Sequence, residues 1–178
     1  EQVHDGRLGA AYWVAAQAQF RLGDPDQAAQ LLNQAERSGA TGTPAVRLSA
    51  QIALLRGLLA RGASDYISAL RQLRIAQRGF ITARDNRGHA LALQALGVLY
   101  SDSGDSENAI RYLTLAKNVY DGDDLFRWSL NNNLGVALQT ADRYAESIPH
   151  FEIARDIAKR LGMQSFASRA ALNIARAQ

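Results

Sequence analysis

The chain has 178 residues, of which 47% are hydrophobic, and it contains no cysteine. This length and apolar content suffice for one domain with a sizeable core. The absence of cysteine excludes disulfides, thiolate chemistry and zinc sites of the CxxC type, and it leaves both the cytoplasm and the periplasm open.

Charge and hydropathy give little support for a nucleic-acid partner or for a membrane span. The 20 basic and 17 acidic residues give a net charge of +3, which is a weak argument for a nucleic-acid partner. The longest apolar runs are interrupted by Arg56 and Arg61, far short of the roughly 20 apolar residues that a membrane span needs. We therefore expect no transmembrane helix. The richness in Arg and Ala is typical of a bacterial source with a GC-rich genome.

A motif of two helices joined by a turn recurs four times along the chain. Each copy has a small residue in its first helix, a turn, and three packing residues in its second helix. In residues 8–42 these positions are Ala16, Gly23-Asp24, Ala28, Leu32 and Ala35, and in residues 43–85 they are Gly57, Asp65-Tyr66, Ala69, Leu73 and Ala76. In residues 86–123 they are Gly97, Gly104-Asp105, Ala109, Leu113 and Ala116, and in residues 124–162 they are Gly135, Tyr144, Ser147, Phe151 and Ala154.

Residues 164–178 predict one further helix. Asn173-Ile174-Ala175 repeats Asn133-Leu134-Gly135 at a spacing of 40. This helix is either the cap that a solenoid needs for solubility or the start of a fifth repeat. No Gly or Pro stop signal ends it, so we expect the chain to be a fragment of a longer protein.

Aspartates predict where several helices begin. Asp24 followed by Pro25 is typical of an N-cap and a first helical position. Asp105 and Asp142 are predicted to cap the second helices of the third and fourth repeats in the same way. Segments 39–42, 84–88 and 121–124, rich in turn-forming residues, are predicted to be linkers between repeats.

The recurring pattern resembles the tetratricopeptide repeat, and the resemblance covers nearly the whole chain. Its best copies are Asn133-Leu134-Gly135 with Tyr144 and Phe151, and Leu96-Gly97 with Tyr100, Gly104-Asp105 and Ala109. The first-helix small residues are 41, 40 and 38 residues apart, instead of the family's usual spacing of about 34, which is similar to the longer-repeat branch. The resemblance implies an all-α, right-handed solenoid of antiparallel helical hairpins with about nine helices, in a single domain over residues 1–178.

No motif indicates catalysis, a metal or a cofactor. His4, His89 and His150 lie in different repeats without ligand spacing, so we interpret them as surface or linker residues. Segment 121–124 is acidic but lacks the register of a calcium loop. Arg71, Arg74 and Arg78 share a helical face without interleaved aromatic residues, which favours a solvated outer face over nucleic-acid binding. We expect no enzymatic activity.

The resemblance implies that the first helices line a concave surface that binds a partner. The side chains beside their packing faces are therefore the candidate binding residues: Trp13, Gln17, Gln51, Leu54, Leu58, Arg61, Gln94, Val98, Ser101, Asp102, Asn132, Asn133, Val136, Gln139, Arg169 and Asn173. Amides both donate to and accept from an extended backbone, and Leu and Val receive its side chains. The family uses an Asn at the positions of Asn133 and Asn173, although Asn133 alternatively only holds neighbouring helices in register.

These features favour a non-catalytic scaffold that binds another protein or an extended peptide. The alternative is a ligand- or peptide-sensing regulatory segment of a larger bacterial signalling protein, in which an occupied groove changes the curvature of the solenoid.

Overall fold

The computed structural model describes residues 6–38, 42–120 and 122–178. Within these ranges the chain forms nine α-helices and no strand, which confirms the predicted all-α fold class. The helices are α1 (Gly6–Leu22), α2 (Pro25–Arg37), α3 (Gly42–Gly62), α4 (Tyr66–Thr82), α5 (Asn86–Asp102), α6 (Ser106–Val119), α7 (Asp124–Thr140), α8 (Tyr144–Arg160) and α9 (Gln164–Ala177). No helix within the described ranges is both long enough and apolar enough to cross a membrane.

The chain divides into two compact units, with the boundary inside α5. Unit 1 is Glu1–Ala92 and unit 2 is Leu93–Gln178. In unit 1, α1 packs on α2 and α3 packs on α4, and in unit 2, α7 packs on α8, which also packs on α9. Each packed pair is a hairpin of consecutive helices joined by a short turn.

Six of the connections between helices have the same local geometry. In each, a residue with positive φ ends one helix, and the N–H of the next residue donates to the carbonyl five residues back, which is the Schellman arrangement. The positive-φ residues are Gly23, Ser64, Arg84, Gly104, Asp142 and Gly162. The hydrogen bonds that follow them, at 2.8 to 3.0 Å, are Asp24 to Gln19, Asp65 to Ala60, Asp85 to Phe80, Asp105 to Tyr100, Arg143 to Leu138 and Met163 to Ala158.

This shared geometry explains which N-cap predictions are confirmed and which is wrong. Asp24 and Asp105 cap α2 and α6, each accepting a backbone hydrogen bond three residues later. Asp142 does not cap α8, because it occupies the positive-φ position itself. Arg143 is the N-cap residue instead and makes no capping hydrogen bond with its side chain; its guanidinium pairs with Glu146 at 2.7 Å.

The predicted linkers are shorter than expected. Asp85 accepts a hydrogen bond from the backbone of Gly88 at 2.8 Å, so α5 already begins at Asn86. Gly42 and Asp124 likewise are the first residues of α3 and α7. Residues 39–41 and 121 of two predicted linkers lie outside the described residues, as does His4.

The core of unit 1 lies where its small residues allow close helix packing. Ala16, Leu32, Ala35, Leu48, Ile52 and Leu55 form one buried cluster of α1, α2 and α3. In the second hairpin, a Cβ added to Gly57 would lie 2.6 Å from the side chain of Leu73. Glycine at this position is therefore required by the distance between α3 and α4.

Unit 2 repeats the same packing twice. A Cβ on Gly97 would lie 2.6 Å from Leu113, and one on Gly135 would lie 2.7 Å from the ring of Phe151. Leu113 and Phe151 are fully buried. In each of these hairpins, the small residue of the first helix thus packs against the largest packing residue of the second helix, as the sequence pattern indicates.

Candidate functional site

Two amide side chains connect α7 to the first helices on either side of it. The Nε2 group of Gln94 in α5 donates to Ser129 Oγ in α7 at 2.8 Å. The Nε2 group of Gln139 in α7 donates to the backbone carbonyl of Asn173 in α9 at 2.9 Å. We call the following residues of these three helices in unit 2 the α7 surface, all of them predicted binding residues except Ser129: Gln94, Val98, Ser129, Asn132, Asn133, Val136, Gln139, Arg169 and Asn173.

The middle of the α7 surface presents amides beside an exposed aliphatic side chain. Asn132 and Asn133 are half-buried, and their side chains are connected only by a long hydrogen bond of 3.5 Å. Val136, one turn further along α7, is 38% exposed. Long hydrogen bonds are weak, so these amides can exchange that bond for one to a ligand backbone. In α5, Val98 and Ser101 are half-buried and Asp102 is exposed.

An aromatic group at one end of this surface was not predicted from the sequence. The rings of Trp128 in α7 and Phe166 in α9 meet edge to face, with centroids 4.8 Å apart. The guanidinium of Arg169 lies 5.1 Å from the centroid of the Phe166 ring, which is within the range of a cation–π interaction. Trp128 lies four residues before Asn132, and this spacing is the sequence signal that places it on the same side of α7.

The predicted residues of unit 1 lie closer to the core than those of α7. Trp13 and Leu58 pack against the cluster around Ala16, and Leu54 packs against a second buried cluster that includes Phe80. Gln17, Gln51 and Arg61 are half-buried. The indole Nε1 of Trp13 is buried and has no hydrogen-bond partner among the described residues. Trp13, Leu54 and Leu58 therefore contribute to stability in addition to any role in binding.

Asn133 lies two residues before the small residue Gly135, and the residues at this position in the other repeats differ in burial. Val14 in α1, Leu55 in α3 and Ala95 in α5 occupy the same repeat position; Val14 is 57% exposed, whereas Leu55 and Ala95 are buried. Asn133 is half-buried rather than buried. It therefore lies at the edge between helix packing and solvent, where its amide is partly accessible.

A buried polar pair on the other side of α7 also went unpredicted. Asn131 is 5% exposed, and its Nδ2 donates to the carbonyl of Arg127 at 2.8 Å. Its Oδ1 lies 3.0 Å from Nδ1 of His150 in α8. Because Oδ1 can only accept, the Nδ1 of His150 carries a proton and donates. His150 is a helix-packing residue rather than the surface residue we expected.

Two histidines and one glutamate on these helices have lowered pKa values. Burial lowers the pKa of His150, with a further decrease from the charge of Lys117 and an opposing increase from Glu146. Burial also lowers the pKa of His89. The hydrogen bond from Arg143 lowers the pKa of Glu146. In the described parts of the chain, no group of three His, Asp or Glu side chains could hold a metal ion.

The pair of Asn131 and His150 predicts a pH-dependent stability. The pKa of folded His150 is lowered, so the unfolded chain takes up a proton first as the pH decreases. The stabilisation is complete above the unfolded pKa of about 6.5 and is lost as the pH falls below it. We expect urea midpoints to decrease between pH 7 and pH 5, and the decrease to be smaller in His150→Gln.

The second histidine provides the control for this prediction. His89→Gln removes the other imidazole whose pKa is lowered and separates its contribution to the change of the urea midpoint with pH. The carboxylates with shifted pKa values titrate below their ordinary values, so they do not affect this range. If the urea midpoint decreased equally between pH 7 and pH 5 in the wild type and in His150→Gln, the prediction would be contradicted.

Consecutive helical hairpins, each closed by a small residue against a large one, define a class of helical-repeat proteins. A family model described as tetratricopeptide repeat matches residues 92–123, which include the hairpin of Gly97 and Leu113. This match confirms the predicted resemblance to the tetratricopeptide repeat.

Comparison with solved structures gives the same fold. The crystal structure of BtubC (BKLC) from P. vanneervenii matches with 21% identity and a TM-score of 0.72, over 91% of this chain and 67% of that chain. MamA 41-end from Desulfovibrio magneticus RS-1 matches with 17% identity and a TM-score of 0.55, over 97% of this chain and 93% of that chain. A structure of MamA from AMB-1 matches with 21% identity and a TM-score of 0.53, over 95% of this chain and 89% of that chain. A sequence search of curated proteins found no match.

Proposed function

We propose that this chain is a non-catalytic scaffold that binds a protein partner through an extended peptide segment, with the α7 surface as its main binding site. The observation that carries the proposal is the pair of amide bonds from Gln94 and Gln139, which hold α5, α7 and α9 side by side. A prearranged surface lowers the entropy cost of binding. The general role in protein–protein interaction follows from the tetratricopeptide-repeat fold.

The chemistry of the α7 surface fits a peptide backbone with apolar side chains. Asn132 and Asn133 offer both donors and acceptors, which an extended backbone can pair with. Val136 and the edge of the Trp128 and Phe166 rings offer apolar contact. Arg169 adds one positive charge at the end of this surface, where a ligand carboxylate would be favoured.

The alternative proposal is a regulatory segment that senses a ligand. It would use the same surface, and binding would change how α5, α7 and α9 lie against one another. Because Gln94 and Gln139 connect these helices, a ligand that replaced either amide bond would release one contact between neighbours. Small-angle scattering with and without bound peptide distinguishes the two, because only the sensor changes its dimensions.

A charge placed on the α7 surface is expected to weaken peptide binding. We expect Val136→Glu to weaken binding at least about tenfold, because a carboxylate would have to be desolvated in the interface. Peptide ligands are first selected from a phage-displayed random library against the purified chain. Their affinities are then measured by fluorescence anisotropy.

The matched control lies on the second helix of the same hairpin. Val136 and Ile153 are both 38% exposed, so Ile153→Glu introduces the same charge at a similarly exposed position in α8. We expect Ile153→Glu to bind like the wild type. Equal losses in both variants, or none in either, would place the binding site elsewhere on the chain.

A further inference from the structure

One side of α9 carries two arginines with apolar side chains beside them. Leu172 follows Arg169 by three residues and Arg176 follows it by seven, so the three side chains share one side of the helix. The two arginines are exposed, and Leu172 is 53% exposed. Phe166, one turn before Arg169, is 37% exposed. We call these four residues the α9 patch: Phe166, Arg169, Leu172 and Arg176.

The α9 patch adjoins the α7 surface. Arg169 belongs to both, and at the spacing of 40 that relates the two helices Arg176 corresponds to Val136. The ring of Phe166 contacts Trp128 of α7, with centroids 4.8 Å apart. A ligand that covers Val136 and continues towards α9 therefore reaches the two arginines.

The guanidinium of Arg169 is positioned by its aromatic neighbours. It lies 5.1 Å from the centroid of the Phe166 ring, and that ring also contacts Trp128. Stacking on the flat face of a guanidinium leaves the N–H donors at its edge available. An arginine that is already positioned loses less side-chain entropy when it binds an anion.

Neither arginine of the α9 patch is neutralised by a carboxylate within the described ranges. Helix α9 contains no Asp or Glu. The guanidinium of Arg169 contacts only the Phe166 ring, and the side chain of Arg176 has no hydrogen bond or ion pair with another described residue. Arg160 at the end of α8, by contrast, pairs with Asp124 at 3.3 Å. The charges of the α9 patch are therefore available to a ligand.

Charge is distributed unevenly over the predicted binding residues of unit 2. Those of α7 are uncharged, and the charged one of α5, Asp102, is acidic. Within this set of residues, positive charge occurs only in α9. An acidic segment of a ligand is therefore favoured at α9 and disfavoured beside Asp102, which gives the ligand a defined register.

We propose that the α9 patch recognises an acidic segment within the partner peptide, in which acidic side chains flank an apolar one. The carboxylates would pair with Arg169 and Arg176, whose Cα atoms are about 10 Å apart at a rise of 1.5 Å per residue. The apolar side chain between them would cover Leu172. This inference rests on the function proposed for the α7 surface and adds the composition and register of the peptide. Because the acids are side chains within the segment, no free C-terminus is required.

The α9 patch fits a peptide better than a single-stranded nucleic acid. Such nucleic acids stack their bases on open aromatic faces along a positively charged groove. In the α9 patch a guanidinium already stacks on Phe166. The neighbouring α7 surface residues of α7 carry no charge that would attract further phosphates.

Peptide selection tests the predicted composition directly. Random peptides displayed at the N-terminus of a phage coat protein have no free C-terminus. The targets are the whole chain and its variant Arg169→Gln with Arg176→Gln. We expect the wild type to enrich Asp and Glu at least about twofold over the unselected library, and the variant to show no such enrichment.

Synthetic, C-terminally amidated versions of the most enriched peptide then give the size of the effect by fluorescence anisotropy. We expect replacement of its acidic residues by amides to weaken binding to the wild type at least about tenfold. The same replacement should weaken binding to the double variant less than about twofold, because the partners of the carboxylates are absent. Affinity for the acidic peptide should decrease as salt increases.

The matched control is Arg111→Gln with Lys117→Gln. Both residues are exposed in α6 of the same unit, and Arg111 lies 5.7 Å from an aromatic ring centroid, much as Arg169 does. This variant removes the same charge and should bind the acidic peptide like the wild type. Leu172→Gln, which leaves all charges in place, should weaken binding at least about threefold.

Several results would overturn the inference. Selected peptides without acidic enrichment would do so, as would equal losses in the two double variants or full affinity in Leu172→Gln. Equal affinity for a scrambled peptide of the same composition would show attraction by charge alone. Binding of oligothymidylate that is lost in Arg169→Gln with Arg176→Gln, without acidic enrichment among the peptides, would assign the patch to nucleic acid.

Val136→Glu separates this inference from the function on which it rests. If it weakens binding of the selected peptides while their acidic residues have no effect, the proposed function holds and the inference fails. If the acidic peptide depends on the two arginines but not on Val136, acidic recognition by the α9 patch is supported and the α7 surface is not the main binding site. Failure to select any peptide would contradict both.

Discussion

Replacing Phe151 with alanine is expected to lower the free energy of unfolding of unit 2 by about 3 to 5 kcal/mol. Phe151 is fully buried, and its ring fills the space opposite Gly135. Glycine has no side chain that could move into the cavity, so the lost contacts are not recovered. The expected loss is a large part of the roughly 5 to 15 kcal/mol by which a domain is stable.

The two tryptophans allow this loss to be assigned to one unit. Trp13 lies in unit 1 and Trp128 in unit 2. In a Trp13→Phe background, urea unfolding followed by tryptophan fluorescence therefore reports on unit 2 alone. We expect the Phe151→Ala midpoint to decrease without a change in slope.

The repeat itself supplies the controls. Leu73 and Leu113 occupy the position of Phe151 opposite Gly57 and Gly97, so Phe151→Leu should cost less than about 1.5 kcal/mol. Ile153→Ala, on the exposed side of α8, should change the free energy of unfolding by at most about 0.5 kcal/mol. A loss as large for leucine as for alanine would show that the repeats do not pack equivalently.

Much of this fold could be predicted from the sequence because its signals are local. Small residues at 16, 57, 97 and 135 and large ones at 32, 73, 113 and 151 recur at helical spacings, and all eight positions are buried. Gly23 and Gly104 marked two of the turns directly. A repeated pattern of this kind carries more information than any single helix.

Three of the turns lack a glycine where the backbone requires positive φ. Ser64, Arg84 and Asp142 adopt this conformation, at a cost of about 1 to 2 kcal/mol each, because packing of the flanking helices determines the turn. No local sequence signal indicates such a position. Asp142 therefore resembled an N-cap when it was in fact the residue before one.

The candidate site could be predicted only in part, for a related reason. Helical periodicity placed Gln94, Asn132 and Gln139 on the same side of their helices, but it could not show that Gln94 and Gln139 bond to neighbouring helices. Trp128 and Phe166 are 38 residues apart, and Asn131 and His150 are 19 apart. Such pairs form through tertiary packing, which spacing within one helix does not reveal.

Substitution of Gly97 by valine is expected to destabilise unit 2 by about 3 kcal/mol, at the upper end of the usual cost of overpacking. A Cβ at this position would lie 2.6 Å from Leu113 Cγ and 3.2 Å from the carbonyl oxygen of Ala109. Leu113 is fully buried and cannot rotate away, and a backbone oxygen cannot move without the helix. Valine therefore has to separate α5 from α6.

Gly62 is the matched control for this substitution, because a Cβ added there meets no atom within 4 Å. Gly62 lies in unit 1, so Gly62→Val is measured through Trp13 in a Trp128→Phe background, where it should leave the free energy of unfolding within about 0.5 kcal/mol of its parent. If the contact with Leu113 is the cause, Leu113→Ala should partly rescue Gly97→Val, giving a favourable coupling energy of about 1 kcal/mol or more in a double-mutant cycle. The same urea measurement in the Trp13→Phe background gives the four free energies of unfolding that this cycle needs: those of the wild type, Gly97→Val, Leu113→Ala and the double variant. Additive losses would instead assign the destabilisation to the backbone oxygen of Ala109, which no side-chain truncation relieves.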